Sequence, residues 1–380
     1  MRQPIYPDVE DIRRLFRVTE RCAYLDHAAV GTLSDPVRQA MGAYLAHRAR
    51  WEQHGPYEHL ADDLRDALAT LINSSPEEIA FVQNTSEGLN IVANALPLQA
   101  GDNVLFCDME FPSNVYPWMN LERRGIEARC VPHDGGGLTV AALAAHADAR
   151  TRVVAVSSVE FLNGFRTDLP ALGSWCREHG ATFVVDGIQS LGVLPMDVQA
   201  CHVDCLSCGG PKWLMGPAGQ GFLYVRQERL NELHTPFAGC ISVAGWEDWR
   251  DYNLAFLPDA RRFELGCGNV IGQVGLLEAV RLLLDVGLEA IEAWTLHLAD
   301  LLVEDLQQRG YQVVSNRSPH RRSAIVSFRV AGDVAAAHQQ LLGAGVFVSK
   351  REDLIRVSPH GYNTENEVLR VGEVLGGVQV

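Results

Sequence analysis

The chain lacks the features of a membrane protein, a secreted protein and a nucleic-acid-binding protein. No apolar run in its 380 residues approaches the roughly 20 residues that cross a bilayer as a helix. Its 32 basic and 47 acidic side chains give a formal net charge of −15, which argues against nucleic acid or an anionic membrane as the main partner. Residues 1–8 lack the apolar stretch and cleavage site of a signal peptide. We therefore expect a cytoplasmic protein.

The cysteines lack the pattern of a disulfide framework. There are nine, an odd number, and they are dispersed, so we expect reduced thiols. Cys201, Cys205 and Cys208 have the C-x3-C-x2-C spacing that holds an iron–sulfur cluster in radical enzymes. Residues 203–208 are predicted as a strand, however, in which residues three apart point to opposite faces. We therefore expect Cys205 and Cys208 to be diverging buried thiols and predict no metal site.

Length and residue pattern predict an α/β protein with two domains. A chain of 380 residues is long for a single core, and its 47% apolar and 21% charged residues are those of an ordinary globular protein. Strands alternate with helices up to about residue 260, which implies a mainly parallel sheet covered on both faces. We therefore expect a large domain over residues 20–260 and a small α+β domain over residues 261–380. Residues 1–19 are expected to belong to the small domain.

The boundaries of the predicted elements follow from hydrophobic periodicity and from capping residues. Strands are predicted at 23–26, 79–82, 104–107, 128–131, 153–157, 182–186, 204–207, 221–225, 323–329, 346–349 and 354–357. Helices are predicted at 36–50, 58–72, 85–95, 114–124, 139–147, 170–179, 269–285, 288–309 and 333–343, with a last helix from Glu365.

Lys212 and Asp186 indicate the chemistry most clearly. Asp186 ends a β-branched strand, and Lys212 follows the next strand after two glycines and a proline. Ligands of open parallel sheets lie beyond the carboxyl ends of the strands, so we expect both side chains in one site. An amine that forms a Schiff base with an aldehyde, and a carboxylate that keeps a pyridine nitrogen protonated, are what an enzyme needs to hold pyridoxal phosphate (PLP). We predict PLP as the cofactor; a surface lysine beside a loop is the alternative.

Four further segments could contact this cofactor or its substrate. The helix start at residues 84–88 has free N–H groups for a phosphate, or is an ordinary cap. Gln189 is predicted to donate to the ring hydroxyl, with a turn residue as the alternative. Phe111 could stack on a flat heterocycle or belong to the core. Arg356 could bind an α-carboxylate with two parallel hydrogen bonds, or be a solvated charge at a strand edge.

Together these residues resemble the class V aminotransferase family, the fold-type I PLP enzymes that include cysteine desulfurases and isopenicillin N epimerase-like proteins. The resemblance runs from about Tyr24 to Tyr362, and its markers are residues 186–189, 212, 216–219, 262–266, 356 and 363–364. It implies a large domain with a mainly parallel seven-stranded sheet. It also implies a homodimer with sites at the interface and an amino acid as the substrate.

The same resemblance implies a role for individual residues. Lys212 would bond to PLP and Asp186 would face the ring nitrogen, and these two are the predicted catalytic residues. The implied cofactor contacts are Thr85, Ser86, Glu87, Phe111, Asp186, Gln189, Lys212, Cys267 and Gly268, with residues 267–269 approaching the phosphate held by the other subunit. The implied substrate contacts are Arg356, Asn163 and His27.

The sequence departs from the cysteine desulfurases in three places. It has no cysteine after Cys267, whereas desulfurases carry a nucleophilic cysteine shortly before the carboxylate-binding arginine. Phe111 stands where they have a histidine, and Gly209 and Pro211 stand where a phosphate-binding serine and histidine often occur. We therefore expect an aminotransferase. A desulfurase, C–S lyase or epimerase of the same family, a non-catalytic PLP-binding protein and a radical iron–sulfur enzyme are the alternatives.

Overall fold

A computed structural model describes residues 8–50 and 55–376 of the chain. Residues 1–7, for which we predicted no signal peptide and a place in the small domain, lie outside these ranges. The strands are β1 Ala23–Tyr24, β2 Ile79–Val82, β3 Asn103–Cys107, β4 Glu127–Val131, β5 Thr151–Ser157, β6 Thr182–Asp186, β7 Cys205–Gly209, β8 Gly221–Val225, β9 Gln312–Val313, β10 Val326–Arg329, β11 Val346–Phe347, β12 Ser349–Arg351 and β13 Leu354–Val357. The α-helices are α1 Val9–Arg13, α2 Asp35–Arg48, α3 Leu60–Ile72, α4 Thr85–Ala95, α5 Tyr116–Met119, α6 Val140–His146, α7 Leu169–His179, α8 Val270–Val286, α9 Leu288–Gln308, α10 Val334–Gly343 and α11 Glu365–Leu375.

The larger sheet has seven strands in the order β2-β8-β7-β6-β5-β3-β4. Only β8 runs antiparallel to its neighbours β2 and β7; the other neighbouring strands are parallel. Strands β6 and β7 are buried along their whole length, because separate hydrophobic clusters cover the two faces of the sheet. The predicted α/β fold class with a mainly parallel seven-stranded sheet is confirmed.

The cysteines of β7 show the alternation of the strand. Cys205 packs in one hydrophobic cluster and Cys208 packs in the cluster on the other face of the sheet. The prediction that these two thiols diverge is therefore confirmed. All nine cysteines lie in the described part of the chain as free thiols.

The C-terminal part contains a second, antiparallel sheet in the order β12-β13-β10-β9. Its core includes side chains from α9 and α11. The short strand β1 pairs in parallel with β11, and the backbones of Asp26 and Ser358 form an isolated parallel β-bridge. Residues 23–26 are therefore attached to the C-terminal part. The domain division at residue 260 stays a prediction.

Helix starts coincide with capping side chains, which explains why their positions could be read from the sequence. The Ser34 hydroxyl accepts a hydrogen bond from the Val37 N–H at the start of α2. Asn84, Thr139, Asp168, Asn269, Asp333 and Thr364 cap later helices in the same way.

Several element predictions differ from the structure. The strand predicted at 346–349 is two strands, β11 and β12, and α1 was not predicted. The helix predicted at 114–124 is only the single turn α5 followed by a 3-10 segment at Asn120–Arg124. The strand predicted at 323–329 begins at Val326, because the Ser323 hydroxyl donates to the Gly164 carbonyl in another loop. Strand β9 was not predicted, since two residues leave little periodic signal. Among the described residues, no helix combines the length and hydropathy that a bilayer crossing requires.

Candidate active site

Lys212 lies just beyond the carboxyl end of β7, in a turn fixed by backbone contacts. The Met215 N–H donates to the Lys212 carbonyl at 3.0 Å, and the Gly31 N–H donates to the Pro211 carbonyl at 2.7 Å. A Cβ on Gly31 would lie 2.1 Å from the Lys212 carbonyl oxygen, so a side chain has no room there. The chain near residue 31 thus packs directly on the backbone that carries the lysine.

The Lys212 side chain is half-buried, with its amine enclosed close to an aromatic ring. Its Nζ atom lies 5.7 Å from the centre of the Phe111 ring. Burial lowers the pKa of Lys212 to about 8, although the Asp186 carboxylate acts in the opposite direction. A larger fraction of this amine is therefore neutral, and hence nucleophilic, than of an ordinary lysine. Phe111 is 40% exposed, so its interpretation as a core residue is wrong and its face remains accessible to a ligand.

Asp186 ends β6 and is 1% exposed. Its Oδ1 atom accepts from the Ile188 N–H at 2.9 Å. Its Oδ2 atom is buried and has no hydrogen-bond partner in the described part of the chain. Burial raises the pKa of Asp186 to about 6. A buried acceptor without a donor suits a ligand that supplies an N–H group, as a protonated pyridine does.

The start of α4 lies beside the turn that carries Lys212. The Thr85 hydroxyl accepts from the Gly209 N–H at 2.9 Å, which ties the helix to the end of β7. A Cβ on Gly88 would lie 2.2 Å from the Ser207 hydroxyl oxygen, so the helix approaches the strand closely only because residue 88 is glycine. The first helical turn therefore points its N–H groups at the same edge of the sheet as Lys212.

The hydrogen bonds of this first turn leave donors for a phosphate. The Asn84 side chain accepts from the Glu87 N–H at 3.0 Å, and the Ser86 and Ser113 hydroxyls are 2.8 Å apart. The backbone N–H groups of Thr85 and Ser86 make no hydrogen bond to the described residues. Free N–H groups at a helix N-terminus bind anions, so the residues present fit a phosphate group.

An open groove of about 1070 Å³ adjoins this helix start. Glu87, Cys267 and Gly268 line it together, as do Trp246 and Trp249. The two tryptophans are 43% and 83% exposed. The structure thus brings Glu87, Cys267 and Gly268 to one surface, while their predicted contacts with a phosphate stay predictions.

Gln189 and His27 both lie next to Trp213, the residue that follows Lys212. The Gln189 Oε1 atom accepts from the Trp213 indole N–H at 2.7 Å, and its Nε2 atom donates to the Ala28 carbonyl at 3.0 Å. An amide nitrogen carries two hydrogens, so one donor remains for a ligand. His27 is fully buried, with Nδ1 3.1 Å from the Ser358 carbonyl oxygen and no partner for Nε2 among the described residues. Burial lowers the pKa of His27 well below its ordinary value, so its ring is neutral.

Arg356 on β13 is 1% exposed, so the alternative of a solvated edge charge is wrong. Its Nη1 atom donates to the Phe161 carbonyl at 2.7 Å, and its Nη2 atom lies 3.4 Å from the Ser349 hydroxyl and 3.6 Å from Asp26 Oδ1. Its Nε atom has no partner in the described part of the chain. Burial lowers the pKa of Arg356 to about 10, so the guanidinium stays cationic at neutral pH. It is a fixed cation, and its free donors include the Nε–H.

Asn163 uses its side chain within its own loop. Its Nδ2 atom donates to the Gly136 carbonyl at 2.8 Å, and its Oδ1 atom accepts from the Phe165 N–H at 2.8 Å. The same loop reaches Arg356 through the Phe161 carbonyl instead. The predicted substrate contact of Asn163 stays a prediction.

Sequence reasoning did not single out two buried carboxyl groups near Asp186. Glu110 accepts from the N–H and hydroxyl groups of Ser157, and burial raises its pKa to about 7. Both oxygens of Glu160 are buried without a partner among the described residues, and burial raises the pKa of Glu160 well above its ordinary value. Glu160 comes shortly after the end of β5, much as Asp186 ends β6. This position after a strand is the sequence feature that could have identified Glu160 as a candidate site residue.

Comparisons with known proteins agree with this geometry. The family model described as Aminotransferase class-V matches residues 23–371. A probable cysteine desulfurase of Methanothermobacter thermautotrophicus is 29% identical, over 98% of this chain and 98% of its own. A cysteine desulfurase of Salmonella gallinarum is 33% identical, over 85% of this chain and 82% of its own.

Two solved structures share the whole fold. The apo structure of a cysteine desulfurase from Thermococcus onnurineus aligns with a TM-score of 0.88 at 28% identity, covering 99% of this chain and 98% of its own. A lysine-to-alanine mutant of C-DES, with glycine covalently linked to its PLP cofactor, aligns with a TM-score of 0.88 at 25% identity, covering 98% of this chain and all of its own. The unpartnered Asp186 oxygen, the buried Lys212 amine and the free N–H groups of α4 fit the same cofactor. The chain belongs to the class-V aminotransferase family, and its cofactor is PLP.

Proposed function

We propose that the chain is an aminotransferase that acts on an amino acid through a covalent bond between Lys212 and PLP. PLP supplies an electron sink that stabilises negative charge at the α-carbon of the amino acid. Asp186 would keep the ring nitrogen protonated, because its buried Oδ2 atom, which has no partner in the described part of the chain, can accept a hydrogen bond from the ring N–H. The backbone N–H groups of Thr85 and Ser86 would hold the phosphate, and the Phe111 ring would stack on the cofactor ring.

Two residues act on the amino acid itself. Arg356 binds and orients the α-carboxylate, since it is a buried cation with a free Nε donor. The Lys212 amine would take a proton from the substrate α-carbon and return it, because its lowered pKa leaves a useful fraction of neutral amine. His27 and Asn163 are retained as further substrate contacts.

The observation that carries the choice of an aminotransferase is the connection between β12 and β13. Only Glu352 and Asp353 join these strands, and Arg356 lies in β13 shortly after this turn. The hairpin carries no cysteine, and the sequence has none after Cys267. Amino transfer needs no protein thiol, whereas a desulfurase needs one to receive sulfur.

A C–S lyase is the second candidate, and the comparisons favour it. One solved structure that aligns over 94% of this chain, at 26% identity and with a TM-score of 0.86, is a complex of the cystine C–S lyase C-DES with its product cysteine persulfide. Such a reaction releases the persulfide as a free product. The missing thiol therefore does not argue against it.

Mapping of the PLP-bound lysine tests the first part of the proposal. Lys212 and Lys350 are the only two lysines in the sequence, so borohydride reduction followed by peptide mass analysis has two possible outcomes. We expect the label on Lys212, its loss in Lys212→Ala and its retention in the matched control Lys350→Ala. A label on Lys350 would refute the assignment.

Product analysis tests the second part. The holoenzyme is incubated with single amino acids, with and without a 2-oxo acid acceptor, and the products are identified by mass. An aminotransferase gives a new amino acid only with the acceptor. Sulfide or persulfide from cysteine or cystine without an acceptor would identify a lyase or desulfurase, and PLP binding without any product would indicate a non-catalytic protein.

We also propose a homodimer that functions in the cytoplasm. Trp246, Trp249 and Leu265 are exposed apolar side chains along the groove next to α4, which supports a second subunit covering it. Nine free thiols support a reducing compartment. Sedimentation of the holoenzyme measures the oligomeric state, and a monomer at micromolar concentration would contradict the first proposal.

A further inference from the structure

Strand β12 places a second arginine on the same face of the sheet as Arg356. Ser349 of β12 pairs directly with Arg356 of the antiparallel strand β13, and residues that face each other across strands point to the same side. Residues two apart on a strand also share a side, so Arg351 lies on the face of Ser349. That face is turned to the site, because the Ser349 hydroxyl donates to Asp26 Oδ1 at 2.6 Å and lies 3.4 Å from Arg356 Nη2. The exposed Lys350 lies on the other face.

Arg351 is half-buried and has no carboxylate partner among the described residues. Its one hydrogen bond in the described part of the chain runs from Nη1 to the Lys350 carbonyl at 3.1 Å. The nearby carboxylates are occupied, since Asp353 pairs with Arg329 and Asp26 lies 3.6 Å from Arg356. No carboxylate of the described residues lies within salt-bridge distance of Arg351.

The charge of Arg351 acts inside the site. After burial, the guanidinium of Arg351 is the next cause that lowers the pKa of Arg356. It also adds to the burial that lowers the pKa of Lys212. The two arginines therefore form an excess of positive charge next to the reactive amine, and an anion with two charged groups relieves it.

We propose that Arg351 is a specificity-determining residue that binds an anionic group on the side chain of the substrate. The substrate class is then an α-amino acid with a short acidic side chain, and the acceptor is the corresponding dicarboxylic 2-oxo acid. Arg351 and Arg356 are diagonal neighbours on two paired strands, a placement that separates such residues by roughly 7–8 Å. Their long side chains can close part of that gap, so a short dicarboxylic amino acid can place one carboxylate on each guanidinium. This inference rests on the proposed function.

The test compares acidic amino acids with their neutral isosteres. The absorbance of bound PLP is titrated in the holoenzyme with L-aspartate against L-asparagine and with L-glutamate against L-glutamine. We expect at least one acid to bind tenfold or more tightly than its amide. Arg351→Gln removes this ratio and changes the dissociation constant of L-alanine much less than that of the acid, whereas Arg351→Lys, which keeps the charge, restores part of the ratio. The matched control Lys350→Gln keeps the full ratio.

The outcomes separate this inference from the proposed function. Equal affinity for acid and amide in the wild type, or an Arg351→Gln variant that weakens both members of a pair equally, overturns the role of Arg351 alone. Failure of every amino acid to change the absorbance of bound PLP overturns the proposed function instead. Calorimetry with succinate, which has two carboxylates and no amine, gives a second readout: its affinity falls at least tenfold in Arg351→Gln if the inference holds and is unchanged if it does not.

Discussion

Asp186 is expected to destabilise the protein until PLP is bound. Its Oδ2 atom is buried without a partner in the described part of the chain, and burial raises its pKa from 3.8 to about 6. Between these two pH values the folded protein holds a proton that the unfolded chain has lost. The free energy of unfolding of the cofactor-free protein therefore falls as pH rises through this window and levels off above about pH 6.

The size of the effect follows from the two pKa values. Their difference corresponds to about 3 kcal/mol in the free energy of unfolding at high pH, of which about 1.4 kcal/mol develops between pH 5 and pH 7.5. Asp186→Asn removes this titration and keeps an oxygen that can accept from the Ile188 N–H. The variant should therefore gain about 1.4 kcal/mol relative to the wild type when the pH is raised from 5 to 7.5.

Denaturant unfolding of the two cofactor-free proteins at both pH values measures this change. Comparison across pH removes the constant cost of the unpaired amide hydrogens in the variant. Asp66→Asn, an exposed substitution on α3, is the matched control and should track the wild type. Parallel pH dependences of wild type and Asp186→Asn would refute the reasoning. With PLP bound, the wild type should be more stable than Asp186→Asn. PLP affinity should fall at least tenfold in Asp186→Asn, because the ring nitrogen loses its carboxylate partner.

Three further predictions concern the lysine, the helix and the arginine of the site. PLP uptake by the cofactor-free protein should accelerate up to about pH 8 and then level off, because the Lys212 amine loses its proton in this range. Roughly a quarter of this amine is neutral at pH 7.5, against about one part in a thousand for an ordinary lysine. A rate of uptake that continues to rise up to about pH 10 would contradict this prediction. Gly88→Ala should weaken PLP binding at least tenfold and destabilise the protein by about 1–3 kcal/mol, because the new Cβ would overlap Ser207. Gly42→Ala on α2, where nothing lies within 4 Å of the new Cβ, should be neutral or stabilising in the same unfolding assay. Arg356→Gln should raise the dissociation constant of amino acids about 100-fold without changing PLP uptake; equal loss of both would assign Arg356 to the fold instead.

Local patterns explain what could be predicted for the fold. Short apolar runs rich in β-branched residues, such as residues 182–186, are typical of buried strands, and capping residues such as Asn84 indicate where helices begin. The order of the strands was not accessible in this way. The antiparallel insertion of β8 between β2 and β7 depends on long-range pairing, and no local preference encodes it.

The sequence by itself pointed to Lys212, Asp186 and the start of α4 as candidate cofactor residues, because each follows a strand or begins a helix in a recognisable local pattern. Only the tertiary structure decided the substrate side of the site. The hydrogen bond between Asp26 and Ser349 joins residues 323 positions apart, and the burial of Arg356 depends on the Phe161 loop that packs over it. Burial and charge are properties of the surroundings in space, so an arginine at a strand edge is either a solvated charge or a buried anion-binding cation until the chain has folded around it.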